Sequence, residues 1–364
     1  MNSSLDGRCS RSVRALAAAA ALGSVLTLVA ACDRGSSGGS GGDSPIKMAL
    51  VGVDLTNPYY LKMKTDAEAE AKKLNVSLSV QTVASGAGAD VETQQIESAV
   101  ASGAKAILVM PFAEGINPAI KKARDAGVVV YAVDNPTNPT SAVDMSYVTG
   151  NRVVGKQLGA WVAAKVKGEH VNIAMLDVFA DQTIPVDIDR DQGFLAGMGI
   201  DVKDENVKGD EAASGSFDGG TYTVICHQPT QATQDGGRTA MENCLSKNPD
   251  VNVVYTINEP SAFGAYQALK AAGKTKDVTI ATFDGSCDGI DAMKRGELTV
   301  DAQTYPGKMA QLAMQAAVAQ IKDGTKPSPS DGLDYYNSGS SLVTDDPISG
   351  VDSITSAEAA KLCF

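Results

Sequence analysis

From Ile46 onward, the chain alternates short apolar runs rich in β-branched residues with longer segments of helical periodicity. The first strand-like runs are 47–53, 76–83, 105–110 and 128–133, separated by helical patterns over 59–74, 91–102 and 114–126. Because parallel strands need long crossovers, this rhythm indicates parallel sheets with connecting helices. The rhythm starts again after Tyr147-Val148-Thr149 and continues to 299–303. The sequence therefore predicts an α/β fold with two similar open parallel-sheet lobes.

Residues 1–31 have the features of a secretory leader. Three arginines precede an apolar stretch over 15–28 that is too short for a membrane-spanning helix. The segment Leu28-Val29-Ala30-Ala31-Cys32 resembles the lipobox of bacterial lipoproteins, which implies that Cys32 is diacylated and opens the mature chain. Residues 32–45 are rich in Gly and Ser and suit a flexible tether. We therefore expect an extracytoplasmic protein anchored to the cell membrane by lipid, periplasmic if the organism has two membranes; a plain signal peptide is the alternative.

The chain is acidic, with a formal net charge of −12, and removal of the basic leader makes the remainder more acidic. Such a charge argues against a nucleic-acid partner or a surface for anionic lipids. Hydrophobic residues make up 43% and charged residues 20% of the chain, which are values typical of globular domains. We therefore expect a folded acidic body that contacts the membrane only through its lipid.

Four cysteines follow the anchor, namely Cys226, Cys244, Cys287 and Cys363. An even number in an oxidising compartment allows up to two disulfides, and four cysteines allow three pairings. The pairing of Cys226 with Cys244 and of Cys287 with Cys363 is preferred, because the first two flank one loop. Four buried free thiols are the alternative.

Polar residues follow several predicted strands at the point where each strand ends. Ligands of open α/β sheets bind beyond the carboxyl ends of the strands, so these residues are candidates for a binding site. Any one of them alone would be an ordinary turn or helix cap, and their recurrence favours a site. Amides, carboxylates and one arginine beside aromatic rings suit a sugar, whose hydroxyls pair with planar polar groups and whose C–H face packs on a ring. The candidates are Asn57, Tyr59, Tyr60, Asp134, Asn135, Arg190, Asn258, Asp284 and Gln303.

Six motifs in this order resemble the ribose/galactose-type periplasmic sugar-binding proteins that serve ABC importers. They are Asn57-Pro58-Tyr59-Tyr60, Val133-Asp134, Arg190-Asp191-Gln192-Gly193-Phe194, Thr256-Ile257-Asn258-Glu259, Phe283-Asp284-Gly285 and Ala302-Gln303. Longer strings, including 187–194, 236–243 and 256–260, are similar to fructose-binding members. The resemblance implies the type I periplasmic binding fold, with Asn57, Asp134, Arg190, Asn258, Asp284 and Gln303 as hydroxyl partners and the two tyrosines as an aromatic pair.

The resemblance also implies how the two lobes are assembled and what they serve. The chain would cross between lobes near Thr149, Gln303 and Leu333, with one lobe from 46–149 and 304–333 and the other from 150–303 and 334–364. No ligand contact is assigned to 331–364. A monomer is expected that binds one monosaccharide, without a cofactor or metal, and passes it to an ABC permease and its ATPase.

Three departures from the family pattern bear on the sugar. Ribose-binding members carry Arg at the position of Asn135 and Asn at that of Met110, which argues against ribose. A third aromatic residue expected after the Cys226 strand is replaced by Pro229-Thr230-Gln231-Ala232, so that side of the cleft is more polar or is filled from elsewhere. Fructose is the preferred ligand, followed by ribose or mannose.

Other function classes have less support in the sequence. An enzyme would need catalytic residues, but His170 and His227 are interpreted as turn and loop residues, and the acids over 201–211 as a solvated charged loop. Neither a dinucleotide fingerprint nor a phosphate-binding loop occurs. A transcriptional regulator on this fold would carry a helix-turn-helix where the leader stands. A sugar receptor that signals to a sensor kinase or chemoreceptor stays open as an alternative to transport.

Overall fold

The computed structural model describes residues 44–83, 88–112, 114–181 and 184–364. The predicted leader, Cys32 and the tether up to Asp43 lie outside the described residues. The described residues form two α/β lobes, and each lobe is built around its own sheet. The predicted fold class is confirmed.

The first sheet consists of six parallel strands in the order β12-β5-β4-β3-β1-β2. Its central strands are buried along almost their whole length, as expected where helices cover both faces of a parallel sheet. The strands are β1 (Ile46–Val53), β2 (Val76–Thr82), β3 (Ala106–Val109), β4 (Val129–Asp134), β5 (Met145–Val148) and β12 (Tyr336–Asn337). The helices of this first lobe are α1 (Pro58–Leu74), α2 (Ala89–Ala101), α3 (Asn117–Asp125) and α9 (Pro306–Asp323).

The second sheet has seven strands in the order β13-β11-β10-β9-β6-β8-β7. Its two edge strands, β7 and β13, are antiparallel to their neighbours, and the hairpin of β7 and β8 was not predicted. The strands are β6 (His170–Asp177), β7 (Ser214–Phe217), β8 (Gly220–Pro229), β9 (Val253–Thr256), β10 (Thr279–Asp284), β11 (Val300–Thr304) and β13 (Ser340–Val343). The helices of this second lobe are α4 (Asn151–Lys165), α5 (Pro185–Met198), α6 (Gln234–Lys247), α7 (Glu259–Ala271), α8 (Cys287–Lys294) and α10 (Ser356–Ala359).

Helices α4 and α5 pack at unusually close range through glycines. A Cβ atom added to Gly159 of α4 would lie 2.0 Å from the carbonyl oxygen of Phe194 on α5. A Cβ atom added to Gly193 or Gly197 of α5 would lie 2.6 Å or 2.2 Å, respectively, from a carbonyl oxygen of α4. Because interiors tolerate no such overlap, only glycine fits at these contacts. The contact fixes the position of α5 against its lobe.

The chain crosses between the lobes three times through very short connectors. The crossings run from Val148 to Asn151, from Thr304 to Pro306 and from Asn337 to Ser340. The third lies a few residues beyond Leu333, because Tyr336–Asn337 forms a strand beside β5 in the first sheet. Residues 334–337 therefore belong with the first lobe, not with the second as the sequence boundary had it.

Two disulfides join the cysteines of the second lobe. Cys226 of β8 is bonded to Cys244 of α6, and Cys287 at the start of α8 is bonded to Cys363. These are the pairings preferred from the sequence. None of the helices within the described residues is long and apolar enough to cross a membrane.

Candidate functional site

Side chains from both sheets meet where the strands β4 and β10 end. Asp134 is the last residue of β4 and Asp284 is the last residue of β10, and both are buried. Both have positive backbone φ angles, 71° for Asp134 and 126° for Asp284, although neither is glycine. Residues held in such sparsely populated conformations cluster at functional sites. The strand ends are thus shaped to present two carboxylates.

Two adjacent tyrosines hold the carboxylate of Asp134. The hydroxyl of Tyr59 donates to Oδ1 at 2.9 Å, and the hydroxyl of Tyr60 donates to Oδ2 at 3.0 Å. The two rings meet edge to face with centroids 5.2 Å apart. Asn57 positions them, because its side chain caps α1 by accepting from the backbone N–H of Tyr59. Tyr59, Tyr60 and Asp134 therefore form one rigid wall of the cleft.

Arg190 of α5 faces this wall from the second lobe. Its Nε donates to Asn151 at 2.9 Å and its Nη1 donates to the carbonyl oxygen of Ile257 at 2.8 Å. The guanidinium lies 4.6 Å from the centroid of the Phe283 ring and 3.7 Å from Oδ1 of Asp284. Arg190 is only 5% exposed. Its orientation is thus fixed on several sides, which suits bidentate binding of a polar ligand.

The acids around Arg190 are perturbed because the cleft is buried. Burial raises the pKa of Asp284 to about 8; Arg190 opposes this shift, and the carboxylates of Asp301 and Asp134 add to it. Burial also raises the pKa of Asp134, against the opposing effect of Arg190. Perturbed pKa values of this kind mark functional sites. Burial therefore disfavours the charged form of both acids, and a ligand whose hydroxyls donate to these carboxylates would favour that form.

The predicted amides have structural roles beside the cleft. Asn258 caps α7 by accepting from Ser261 and donates to the carbonyl oxygen of Ala232. Gln303 pairs with Asp284 in the sheet and donates to the carbonyl oxygens of Gly285 and Ala359. The buried oxygens Asn135 Oδ1 and Gln303 Oε1 have no hydrogen-bond partner within the described ranges. These two oxygens are therefore acceptors that no described residue satisfies.

Phe364 lies beside the predicted aromatic pair, a position that was not predicted from the sequence. Its ring meets Tyr59 edge on, with centroids 5.8 Å apart, and its carbonyl accepts from the N–H of Cys287. The disulfide from Cys363 to Cys287 holds it just past Asp284. Phe364 therefore spans from the second lobe to the first, in a stretch to which no ligand contact had been assigned. The neighbouring Cys363 was the sequence feature that could have indicated this position, since its disulfide draws the end of the chain to Cys287.

The arrangement defines a two-lobed α/β protein in which buried polar and aromatic side chains of both lobes meet at the strand ends. A family model described as "Periplasmic binding protein domain" matches residues 48–326. The chain therefore belongs to the periplasmic binding protein family.

Its relatives bind sugars. The ribose import binding protein RbsB of Salmonella typhimurium is 26% identical over 276 residues, covering 76% of this chain and 84% of that protein. The galactofuranose-binding protein YtfQ of Escherichia coli is 29% identical over 244 residues, covering 65% and 70%. Both relatives are sugar-binding proteins, so the prediction of a binding protein instead of an enzyme is confirmed.

Solved structures agree on the fold. A galactofuranose binding protein superposes with a TM-score of 0.72 at 24% identity, covering 87% of this chain and 98% of its own. An ABC transporter solute binding protein from Agrobacterium vitis with bound D-fucose gives 0.71 at 20% identity, covering 87% and 100%. The type I periplasmic binding fold implied by the sequence motifs is thus confirmed.

Proposed function

We propose that this protein captures a monosaccharide between its two lobes and delivers it to the permease and ATPase of an ABC importer. The observation that carries the proposal is Arg190, fixed under Phe283 and beside Asp284, in a cleft whose other wall is Asp134 with its two tyrosines. Planar charged groups from opposite lobes, with aromatic faces between them, suit a polyhydroxylated ring. The relatives in sugar import systems support the transport role.

The bound sugar would act as the bridge between the lobes. Its hydroxyls would pair with Asp134 on the first lobe and with Arg190 and Asp284 on the second, while Tyr59 and Tyr60 pack on its C–H face. A ligand that contacts both lobes favours the closed form of the protein, because it binds the closed form more tightly than the open form. The permease would then recognise the closed pair of lobes.

We propose D-fructose as the preferred ligand, followed by ribose or mannose. Two positions bear on this choice. Met110, where ribose-binding members carry Asn, is fully buried in the core of the first lobe and offers no donor. Asn135, where those members carry Arg, is a short side chain with an unpaired buried oxygen. In a site without those donors, a buried ribose hydroxyl would be left without a hydrogen-bond partner, which costs about 1–3 kcal/mol. These two positions therefore disfavour ribose.

Calorimetry of the purified protein with fructose, ribose, mannose, galactose, xylose and glucose tests the assignment. Arg190→Ala and Asp284→Ala should each weaken binding by about 10- to 150-fold, because each removes a hydrogen-bonding partner worth about 1.5–3 kcal/mol. Arg238→Ala and Asp250→Ala are matched controls, since both residues are exposed in the same lobe. Affinity within a few-fold of the parent in the cleft variants would refute the site. Heat with none of the sugars would refute the ligand class.

We also propose that Cys32 carries the lipid that retains the protein at the membrane. Cys32→Ser should move the protein from the membrane fraction to the soluble fraction without changing its sugar affinity. Retention of the variant in the membrane fraction would contradict the anchor. Uptake of labelled sugar by cells that lack the protein should fall to background, and unchanged uptake would favour the signalling alternative.

A further inference from the structure

A second buried polar cluster lies in the second lobe and includes none of the residues proposed as sugar partners. It is formed by Asp177 at the end of β6, His227 in β8 and Asp191 in α5, with Glu211 on its outer side. The sequence interpretation of this region was wrong in two respects. His227 is a strand residue and not a loop residue, and Glu211 has a side chain only 3% exposed, although a solvated loop was expected.

Three donor atoms of this cluster converge. His227 Nδ1 lies 3.0 Å from Asp177 Oδ2 and 3.6 Å from Asp191 Oδ2, and one ligand atom from each residue lies within 4.8 Å of the others. Tetrahedral ligands bonded at about 2.05 Å to one ion stand about 3.3 Å apart, which falls between these two distances. The spacing therefore fits ligands of a common metal ion.

The carboxylates in the cluster lack enough donors. Asp191 is 0% and Asp177 is 3% exposed, and Asp191 Oδ2 and Asp177 Oδ1 have no hydrogen-bond partner in the part of the chain that the structure describes. The neighbouring cation Lys208 bonds to Asp187 and to the carbonyl oxygen of Phe179, and its charge also acts on Asp177 and Asp191. Buried carboxylate oxygens without donors are costly, so the cluster calls for a further positive group.

The second nitrogen of His227 has the partner that a metal-bound histidine usually has. His227 Nε2 lies 3.0 Å from Glu211 Oε1. A carboxylate that accepts from the outer N–H fixes the ring and leaves the other nitrogen to bind metal. His227 Nδ1 faces Asp177 and Asp191, so the imidazole is oriented for a metal on its inner side.

We propose that Asp177, Asp191 and His227 form a site for a divalent transition-metal ion, with Zn²⁺ as the preferred ion. One imidazole beside two carboxylates favours zinc over Mg²⁺ or Ca²⁺, which take oxygen ligands alone. The ion would tie β6, β8 and α5 together. Since Asp191 adjoins Arg190 on α5, the metal would also steady the helix that carries the cleft arginine. The site does not depend on which ligand the cleft binds.

Zinc titration of the chelator-treated, dialysed protein by calorimetry tests the proposal. We expect saturable binding of one Zn²⁺ and a higher unfolding temperature with zinc, with little effect of Mg²⁺ or Ca²⁺. His227→Gln and Asp191→Asn should weaken zinc binding on the order of 100-fold or more, because each removes a ligand. His170→Gln is a matched control, since His170 is the other of the two histidines of the chain and is exposed.

Several outcomes would overturn the site. Absence of saturable zinc binding by the parent protein would do so whatever the variants show, and the cluster would then be balanced by a proton shared between Asp177 and Asp191. Equal zinc affinity in His227→Gln and the parent would place the ion elsewhere. Loss of binding in His170→Gln alone would point to a surface site. Sugar titrations of the same samples keep this test separate from the proposed transport function.

Discussion

Asp284 should make the protein less stable as pH rises, and replacing it by asparagine should remove that cost. Its carboxyl has a pKa of about 8 in the folded protein, whereas the ordinary pKa of an aspartate is 3.8. Between these values the folded state holds a proton that the unfolded state has lost, so the stability contributed by this group is fully present below about pH 4 and is lost as pH rises towards 8. Each pH unit in that window corresponds to about 1.4 kcal/mol.

The expected magnitude follows from that window. Relative to Asp284→Asn, which mimics the protonated acid, the parent should lose on the order of 4 kcal/mol of unfolding free energy between pH 5 and pH 8. Asp284 is only 5% exposed, so solvent screens this effect little. The other titrating groups are common to both proteins and cancel to first order in the comparison. The variant should therefore be clearly more stable than the parent at pH 8, with the difference shrinking toward pH 5.

Denaturant unfolding of both proteins in the absence of sugar, at pH 5, 6, 7 and 8, measures this difference. Asp250 is an exposed aspartate at the amino-terminal end of the strands of the same sheet. The free energy of unfolding of Asp250→Asn should match that of the parent at every pH. A stability difference that does not change with pH would refute the reasoning, and so would a variant less stable than the parent at pH 8. The predicted result would show an acid kept in the cleft at a cost to folding.

Three further predictions concern the aromatic tether, the disulfides and the helix contact. Phe364→Ala should weaken sugar binding by about 2- to 12-fold, the equivalent of an aromatic contact of about 0.5–1.5 kcal/mol. Calorimetry that finds no change would exclude its ring from the site. Replacing both cysteines of Cys287–Cys363 by serine should lower the free energy of unfolding by about 4.5 kcal/mol and also weaken sugar binding, because this disulfide closes a sequence separation of 76. The same change at Cys226–Cys244, with a separation of 18, should lower it by about 3 kcal/mol and leave sugar affinity unchanged. Gly159→Ala should lower the unfolding temperature by many degrees, because its Cβ would overlap the backbone of α5, and a variant as stable as the parent in calorimetric melting would contradict that packing.

The sequence was sufficient for the parts of the molecule that depend on local patterns. Alternating strand and helix periodicity predicted both sheets and their parallel central strands, and the residues at the strand ends predicted where Asp134 and Asp284 lie. The location of these two residues could be predicted because the carboxyl ends of parallel strands lie at the same edge of a sheet.

What the sequence could not predict depends on contacts between distant segments. The ring of Phe364 reaches Tyr59 only because a disulfide draws residue 363 to residue 287. The strand at Tyr336–Asn337 is two residues long, and its partner in the sheet is about 190 positions away, so no periodicity marks it. The convergence on His227 likewise joins a strand end, a helix and a loop that no spacing relates.

The three connectors between the lobes restrict how the protein can move. They leave two residues, one residue and two residues between the elements that they join. An extended chain spans at most about 3.6 Å per residue. Connectors of one or two residues therefore prevent the lobes from moving apart at the hinge by more than the short reach of the connectors. Separation of the lobes must therefore be a rotation about an axis through the connectors, with displacement that grows with distance from that axis. The mouth of the cleft would then widen most, while the backbone at the three crossings changes by a few dihedral angles.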